Sequence, residues 1–347
     1  MRILLVAPSI NPLTYKGLGK YCKEILEGMQ RHVDVDLVQK ISEQDKVIST
    51  NSEIPLRLAG RRLTRSYDIV HALSPDMGTY SPIVCSNSVV TFHDLIPILA
   101  FREMRFRLSF IMPYYTKMTW RMAARAKRII VNSTQTRSEL VHVLGVNPQK
   151  TRVIPLGVDD KFKPTVRKTP RRRTIGFFGN YTYRKRVDIA VSAFKRICQK
   201  IDADLVLAGG EIQTLYQRHF DMKKLIAGLK HVELLGQIAE GELPELYNRF
   251  DVMLFPSMYE GFGLPILEAQ RCGVPVLTLR DARIPDEVKR MTVPCDDAEH
   301  MAQSALGLLE HDKEREKLAR DASSYSAQFT WDRTVTETLA VYHEMAS

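Results

Sequence analysis

The sequence predicts an α/β protein of two doubly wound parallel-sheet domains, and three observations carry that prediction. Short β-branched runs alternate with amphipathic stretches along the chain, the pattern of parallel strands covered by helices. At 347 residues the chain exceeds what one hydrophobic core usually serves, so about two domains are expected. A basic, proline-broken stretch at 161–174, KFKPTVRKTPRRRT, interrupts the alternation near its middle.

In the first half the order runs ILLVA, LGKYCKEILEGMQ, VDVDLV, YDIVHAL, SVVTFHD, RIIVNS and TQTRSELVHVLG. After the break it resumes with IGFFGN, RVDIAVSAFKRICQK, DLVLAGG, VELLG, ELPELYNRF, DVMLFPS and VPVLTL. These runs divide the chain into a first domain over 1–163, a linker over 164–174, a second domain over 175–328 and a closing helix over 329–347. Two such domains in series are expected to face a central cleft, and ligands of such sheets sit beyond the carboxyl ends of the strands.

Composition narrows the class. With 44% apolar and 26% charged residues the chain reads as an ordinary globular protein, and no apolar run approaches the roughly 18 residues of a membrane helix. The apolar segment after Arg2 stops at Pro8 without a cleavage-like ending, so it reads as a first buried strand and not a signal peptide. Cys22, Cys85, Cys198, Cys272 and Cys295 are scattered, with no C-x-x-C pair, which argues against a disulfide framework or a zinc site and for a reducing, cytoplasmic setting. The formal net charge of +10 asks for an acidic partner, either a phosphorylated small molecule, an anionic membrane surface or nucleic acid. No recognisable nucleic-acid module interleaves aromatics with the basic runs, which disfavours the last.

The stretch PSMYEGFGLPILEAQRCGVP, residues 256–275, holds the densest chemistry. DVMLFPS reads as a buried strand, MYEGFG as the loop leaving it, and LPILEAQRCG as a helix with Pro265 near its start and Gly273 past its end. A glycine-rich loop feeding a helix N-terminus offers backbone N–H groups to an anion. Glu260 and Glu268 then flank that place as acceptors suited to hydroxyls. Taken alone, the two glutamates read equally well as a solvated loop residue and a helix-start carboxylate. In FFGNYTYRKRVDIAVSAF, Arg184, Lys185 and Arg186 stand at a helix start, where cations oppose the dipole and an anionic ligand relieves the conflict. His93 follows the strand VVTF directly, at the end where such sheets bind ligands. YKGLGKY brings Gly17 and Gly19 after the first strand. As a dinucleotide fingerprint it is weak, because Cys22 stands where the third glycine belongs.

The full string PSMYEGFGLPILEAQRCGVPVL resembles the signature of glycosyltransferase family 4, the group 1 glycosyl transferases, which are retaining enzymes of the GT-B fold with two Rossmann-like domains. VIPLGVDDKF, HVELLGQIAEGELPELYNRFDV and FTWDRTVTETLAVYHEM extend the likeness over nearly the whole chain. Asn180 stands where many members carry Arg, Lys16 where a first glycine is often found, and the region after IPDEVKRMTVP is short.

The resemblance implies a hexose-type sugar moved with retention from a nucleotide-diphosphate sugar to a hydroxyl of a glycan or lipid-linked acceptor, without metal or cofactor. It implies catalytic roles for Glu260, His93 and Lys185. Donor binding falls to Arg184, Lys185, Glu268 (the ribose), Gly261, Phe262, Gly263 and Leu264, with Gly17 and Gly19 of YKGLGKY, which resembles the family's glycine-rich loop after the first strand of the acceptor-side domain. It also implies that the closing helix crosses back to the first domain. The alternative is a glycosyltransferase-like subunit that binds nucleotide sugar without catalysis; a nucleotide-sugar epimerase fits the E-x7-E loop poorly. Between His93 and RIIVNS, the segment 101–128 mixes eight cations with aromatics and methionines. Such helices either lie on anionic membranes, making the protein peripheral on the inner face of the cell membrane, or carry solvated cations. Motifs do not specify nucleotide base, sugar, acceptor, linkage or oligomeric state.

Overall fold

The computed structural model describes residues 1–39, 66–79, 86–99, 111–165, 172–210 and 219–346. Most of the linker expectation, 166–171, and the start of the basic-aromatic segment, 101–110, lie outside the described residues. The chain divides into two compact units. Met1–Ile98, Phe110–Gly157 and Phe329–Ser347 make up the first, and the second holds Val158–Gln328.

In the first unit β1 (Arg2–Ala7), β2 (Asp34–Gln39), β3 (Ile69–Ala72), β4 (Ser88–Phe92), β5 (Arg128–Val131) and β6 (Thr151–Val153) form one sheet of order β2-β1-β3-β4-β5-β6. Every pairing is parallel. Strands β3 and β4 are buried throughout, as a sheet covered on both faces requires, which is why they read as continuous apolar runs. Helix α1 (Pro12–Gln30) returns the chain from β1 to β2.

The second unit repeats the plan. β7 (Arg173–Phe178), β8 (Ala203–Ala208), β9 (Val232–Gly236), β10 (Val252–Phe255), β11 (Val276–Leu279) and β12 (Val293–Cys295) are ordered β12-β11-β10-β7-β8-β9, again all parallel. Strand order reverses between β10 and β7, and the loops leaving these two neighbouring strands are the ones a doubly wound sheet offers to a ligand. Two six-stranded parallel sheets with flanking helices bear out the α/β, doubly wound expectation.

The C-terminal helix, Trp331–Ala346, belongs to the first unit. Two glycines seat it there. A Cβ on Gly157 would stand 2.2 Å from the backbone nitrogen of Trp331, and one on Gly28 of α1 would stand 2.3 Å from Cγ2 of Val335. Thr334 also donates its hydroxyl to the Pro155 carbonyl, 2.8 Å away.

Candidate functional site

The loop after β10 is held rigid before it presents anything. Tyr259 bridges Arg283 in parallel, Glu260 N–H donates to the Arg283 carbonyl at 2.8 Å, and Arg283 N–H donates to the Met258 carbonyl at 2.8 Å. Gly261 and Phe262 follow, with the Phe262 ring buried in the core, so that residue has only its backbone to offer a ligand. Gly263, at φ 104°, starts the helix Leu264–Arg271, and Pro265 lies in its first turn, where a missing N–H costs nothing.

The loop after β7 meets this one. The chain leaves Phe178 through Gly179, makes one tight turn over Tyr183–Lys185, and enters the helix Val187–Ile197 through Arg186, at φ 51°. Lys185 passes close by Gly179, where a Cβ would lie 3.3 Å from its Cδ. Its ammonium stands 4.9 Å from the centre of the Phe255 ring, a cation–π distance.

Three donors from these loops converge on one oxygen of Glu260. Lys185 Nζ donates to Oε1 at 2.6 Å, Arg184 Nη1 at 3.0 Å, and the Ser257 hydroxyl also donates to it. The carboxylate is buried, with only 8% of Glu260 exposed. Burial pushes its pKa up, but the charges of Lys185 and Arg184 and the hydrogen bonds from Lys185 and Ser257 outweigh it, and the net shift is downward. Glu260 is therefore ionised at neutral pH. Two buried polar atoms on the same turn lack partners, the Arg184 Nε–H and the Thr182 hydroxyl. Orphaned buried donors cost about 1–3 kcal/mol each.

Glu268 lies little more than one turn into the helix that follows the loop, 4% exposed, and its Oε2 accepts from the Tyr247 hydroxyl at 2.9 Å. Burial, followed by the charge and hydrogen bond of Glu268, raises the Tyr247 pKa well above the phenol value, so the phenol stays a donor.

His93 belongs to the first unit. Its Nε2 lies 2.9 Å from the Leu73 carbonyl; a carbonyl only accepts, so this nitrogen carries the hydrogen. Burial lowers the His93 pKa to about 4 despite that bond. The ring is neutral at pH 7, and Nδ1 is a bare acceptor. Asn132 donates to the His93 carbonyl at 2.8 Å. Asp94 turns the chain instead, accepting from Ile96 N–H at 2.9 Å.

Gly17 and Gly19 correct an expectation. They do not form a glycine-rich loop but lie inside α1 (Pro12–Gln30), because the apolar residues Tyr21, Cys22, Ile25, Leu26 and Met29 recur at helical spacing and are buried. That stripe outweighs the roughly 1 kcal/mol each helical glycine costs against alanine. Gly17 is exposed, with nothing within 4 Å of a Cβ built on it, while Gly19 is buried. The Lys16 side chain lies outside the described residues.

Glu260, Lys185 and Arg184 are thus brought into one cluster, with Gly261–Leu264 continuing the same loop, while Glu268 pairs with Tyr247. Sequence reasoning missed Ser257, Thr182 and Tyr247. Ser257 stands three residues before Glu260 within the singled-out string, so its signal was present; Tyr247 reaches Glu268 from a separate helix, Leu243–Asn248, which spacing does not reveal. Among the described residues no group of three or more His, Cys, Asp or Glu is placed to hold a metal ion, and no helix is long and apolar enough to cross a membrane.

Comparison with known proteins adds an independent line. The family model "Glycosyltransferase Family 4" matches residues 15–162 and the model "Glycosyl transferases group 1" matches 172–311. A D-inositol 3-phosphate glycosyltransferase from Geodermatophilus obscurus is 31% identical over 243 residues, 64% of this chain and 53% of that protein. An MMP alpha-(1->4)-mannosyltransferase from Mycolicibacterium hassiacum is 28% identical over 83% of this chain and 72% of its own length. The chain spans about half the length of the first curated relatives it matches. In fold it is similar to sucrose-phosphate synthase from Thermosynechococcus elongatus, at TM-score 0.79 and 18% identity over 99% of this chain and 98% of that one. It is also similar to Anabaena HepE, solved in complex with UDP and glucose, at TM-score 0.75 and 18% identity over 99% and 100%.

Proposed function

We propose a function from the premise that the chain belongs to glycosyltransferase family 4, the group 1 glycosyl transferases, and has their GT-B fold. The proposed function is transfer of a hexose-type sugar, with retention, from a nucleotide-diphosphate sugar to a hydroxyl of a glycan or lipid-linked acceptor. The observation that carries it is the buried cluster at the switch point of the second sheet, where an ionised Glu260 meets Lys185 and Arg184 and two polar atoms remain unsatisfied.

In this reading the diphosphate sits on the Thr182–Lys185 turn, taking the orphaned Arg184 Nε–H and the Thr182 hydroxyl and sharing Lys185 with Glu260. As the bond from the sugar's anomeric carbon to the leaving phosphate oxygen breaks, negative charge grows on the diphosphate and the two fixed cations stabilise it. Protein cations thereby serve without a metal or other cofactor. The acceptor hydroxyl attacks from the same face, and its proton passes to a leaving phosphate oxygen, so Glu260 acts as a hydroxyl acceptor for the donor sugar and not as a nucleophile. The backbone N–H groups of Gly261–Leu264 hold sugar and phosphate. Glu268, oriented by Tyr247, accepts from the ribose. Neutral His93, with its bare Nδ1, accepts a sugar hydroxyl.

An anionic membrane surface is the second proposed partner. The helix Ile111–Ala123 exposes Tyr114 by 78% and Met118 by 58% beside Lys117, Arg121 and Arg125, around a groove of about 660 Å³. Aromatic and thioether groups ringed by cations suit an anionic interface, and the reading places the protein in the cytoplasm, peripheral on the inner membrane face. Equal flotation with anionic and neutral vesicles would remove this partner.

The reading of activity is tested by nucleotide release from UDP-, GDP- and ADP-sugars, comparing wild type with Glu260→Ala. Release from one donor by wild type, lowered more than tenfold in the variant, is expected. Equal rates in both proteins would overturn the role of Glu260.

A further inference from the structure

We propose that a buried hydrogen-bonded chain running from the C-terminal helix to α1 orients His93, with Tyr21 as the positioning residue. The Tyr342 hydroxyl lies 2.5 Å from His71 Nδ1, His71 Nε2 lies 2.8 Å from the Thr91 hydroxyl, and that hydroxyl lies 3.0 Å from the Tyr21 hydroxyl. The four groups come from the C-terminal helix, β3, β4 and α1, and all are buried. At the far end the Tyr21 ring stands edge-on to the His93 ring, centroids 4.7 Å apart and planes at 76°.

Apolar side chains of the same shape would pack this core without desolvating four polar groups, so the network asks for a reason beyond packing. His71 supplies the direction. Burial, helped by the nearby His93, lowers its pKa to about 3, so the ring is neutral, donating at one nitrogen and accepting at the other. It thereby links the two hydroxyls on either side of it into one directional chain. Thr91 lies in β4 and His93 directly follows the last residue of that strand, so the hydroxyl that anchors Tyr21 and the ring that Tyr21 fixes stand only two residues apart at one strand end. With Nε2 of His93 tied to the Leu73 carbonyl, the Tyr21 ring is the second constraint on the imidazole plane, and it fixes where Nδ1 points. Tyr21 reaches no reacting atom in this scheme; it acts through His93.

The inference rests on the reading of His93 as a substrate-facing group, and the test separates the two. Protein labelled with 15N-histidine gives ring signals for nine histidines; the one missing in His93→Gln is assigned to His93. Thr91→Val, which removes the hydroxyl at the centre of the chain, is expected to shift or broaden the His93 ring signals in ligand-free protein. It should also lower kcat about tenfold while donor KM stays within about twofold. Thr91→Ser, which restores the hydroxyl, is expected to return both readouts to wild type. Tyr21→Phe removes a single oxygen and stands in should Thr91→Val not fold. Unchanged His93 signals in Tyr21→Phe or Thr91→Val overturn the positioning role whatever the kinetics. Wild-type kcat in His93→Gln overturns the role of His93 instead, and the spectra still decide whether the chain orients it.

Discussion

Glu260→Ala removes the carboxylate on which Lys185, Arg184 and Ser257 converge. The side chains of Glu260, Lys185 and Arg184 are all only 10–13% exposed, so water cannot replace the lost partner fully. Breaking a buried ion pair from one side costs about 3–5 kcal/mol. The lower end applies here because Arg184 keeps its bond to the Tyr259 carbonyl at 2.5 Å. At about 2–4 °C per kcal/mol for a unit of this size, the calorimetric transition of the second unit should fall by roughly 6–12 °C at pH 7. The deficit should also depend on pH. The folded-state pKa of Glu260 is depressed below its ordinary value of 4.5, so the stabilisation is complete above that value and is lost as pH falls through the lower folded value. Scans from pH 7 downward therefore should show the difference between variant and wild type narrowing progressively as the pH falls below 4.5. A transition within about 2 °C of wild type at pH 7, or a deficit that does not narrow as the pH falls below 4.5, would refute the ion-pair reasoning.

Two further outcomes follow from the same structure. Tyr247→Phe leaves buried Glu268 without the donor at 2.9 Å, and is expected to cost about 1–3 kcal/mol, read as a lower transition of the second unit with weaker nucleotide binding by calorimetry. Gly157→Ala forces a Cβ to 2.2 Å from the Trp331 backbone nitrogen, and a displacement costing about 1–3 kcal/mol should speed amide exchange in the C-terminal helix selectively.

Most of the fold was legible because the central strands of each sheet are short buried runs. DVMLFPS and IGFFGN announced β10 and β7, and the rule that ligands sit at strand ends then pointed to the two loops that meet. Glu260, Arg184 and Lys185 were legible on the same ground. Their mutual pairing was not, because Lys185 and Glu260 stand 75 positions apart in sequence and are brought together by the parallel pairing of β7 and β10. Gly17 and Gly19 misled in the opposite way: two glycines after a strand suggest a loop, but the buried stripe that follows them carries the helix backward through both. The network from Tyr342 to Tyr21 spans most of the chain length, and no local spacing signals it.

The central claim is that the turn carrying Lys185 holds the donor's diphosphate. Calorimetric titration of UDP, GDP and the matching monophosphates into wild type and Lys185→Ala tests it most directly. The expected result is a loss of at least about tenfold in affinity for the diphosphate that wild type prefers, one charge-assisted contact being worth about 1.5–3 kcal/mol, with monophosphate affinity nearly unchanged. Equal weakening of mono- and diphosphate, or no weakening of either, would contradict it.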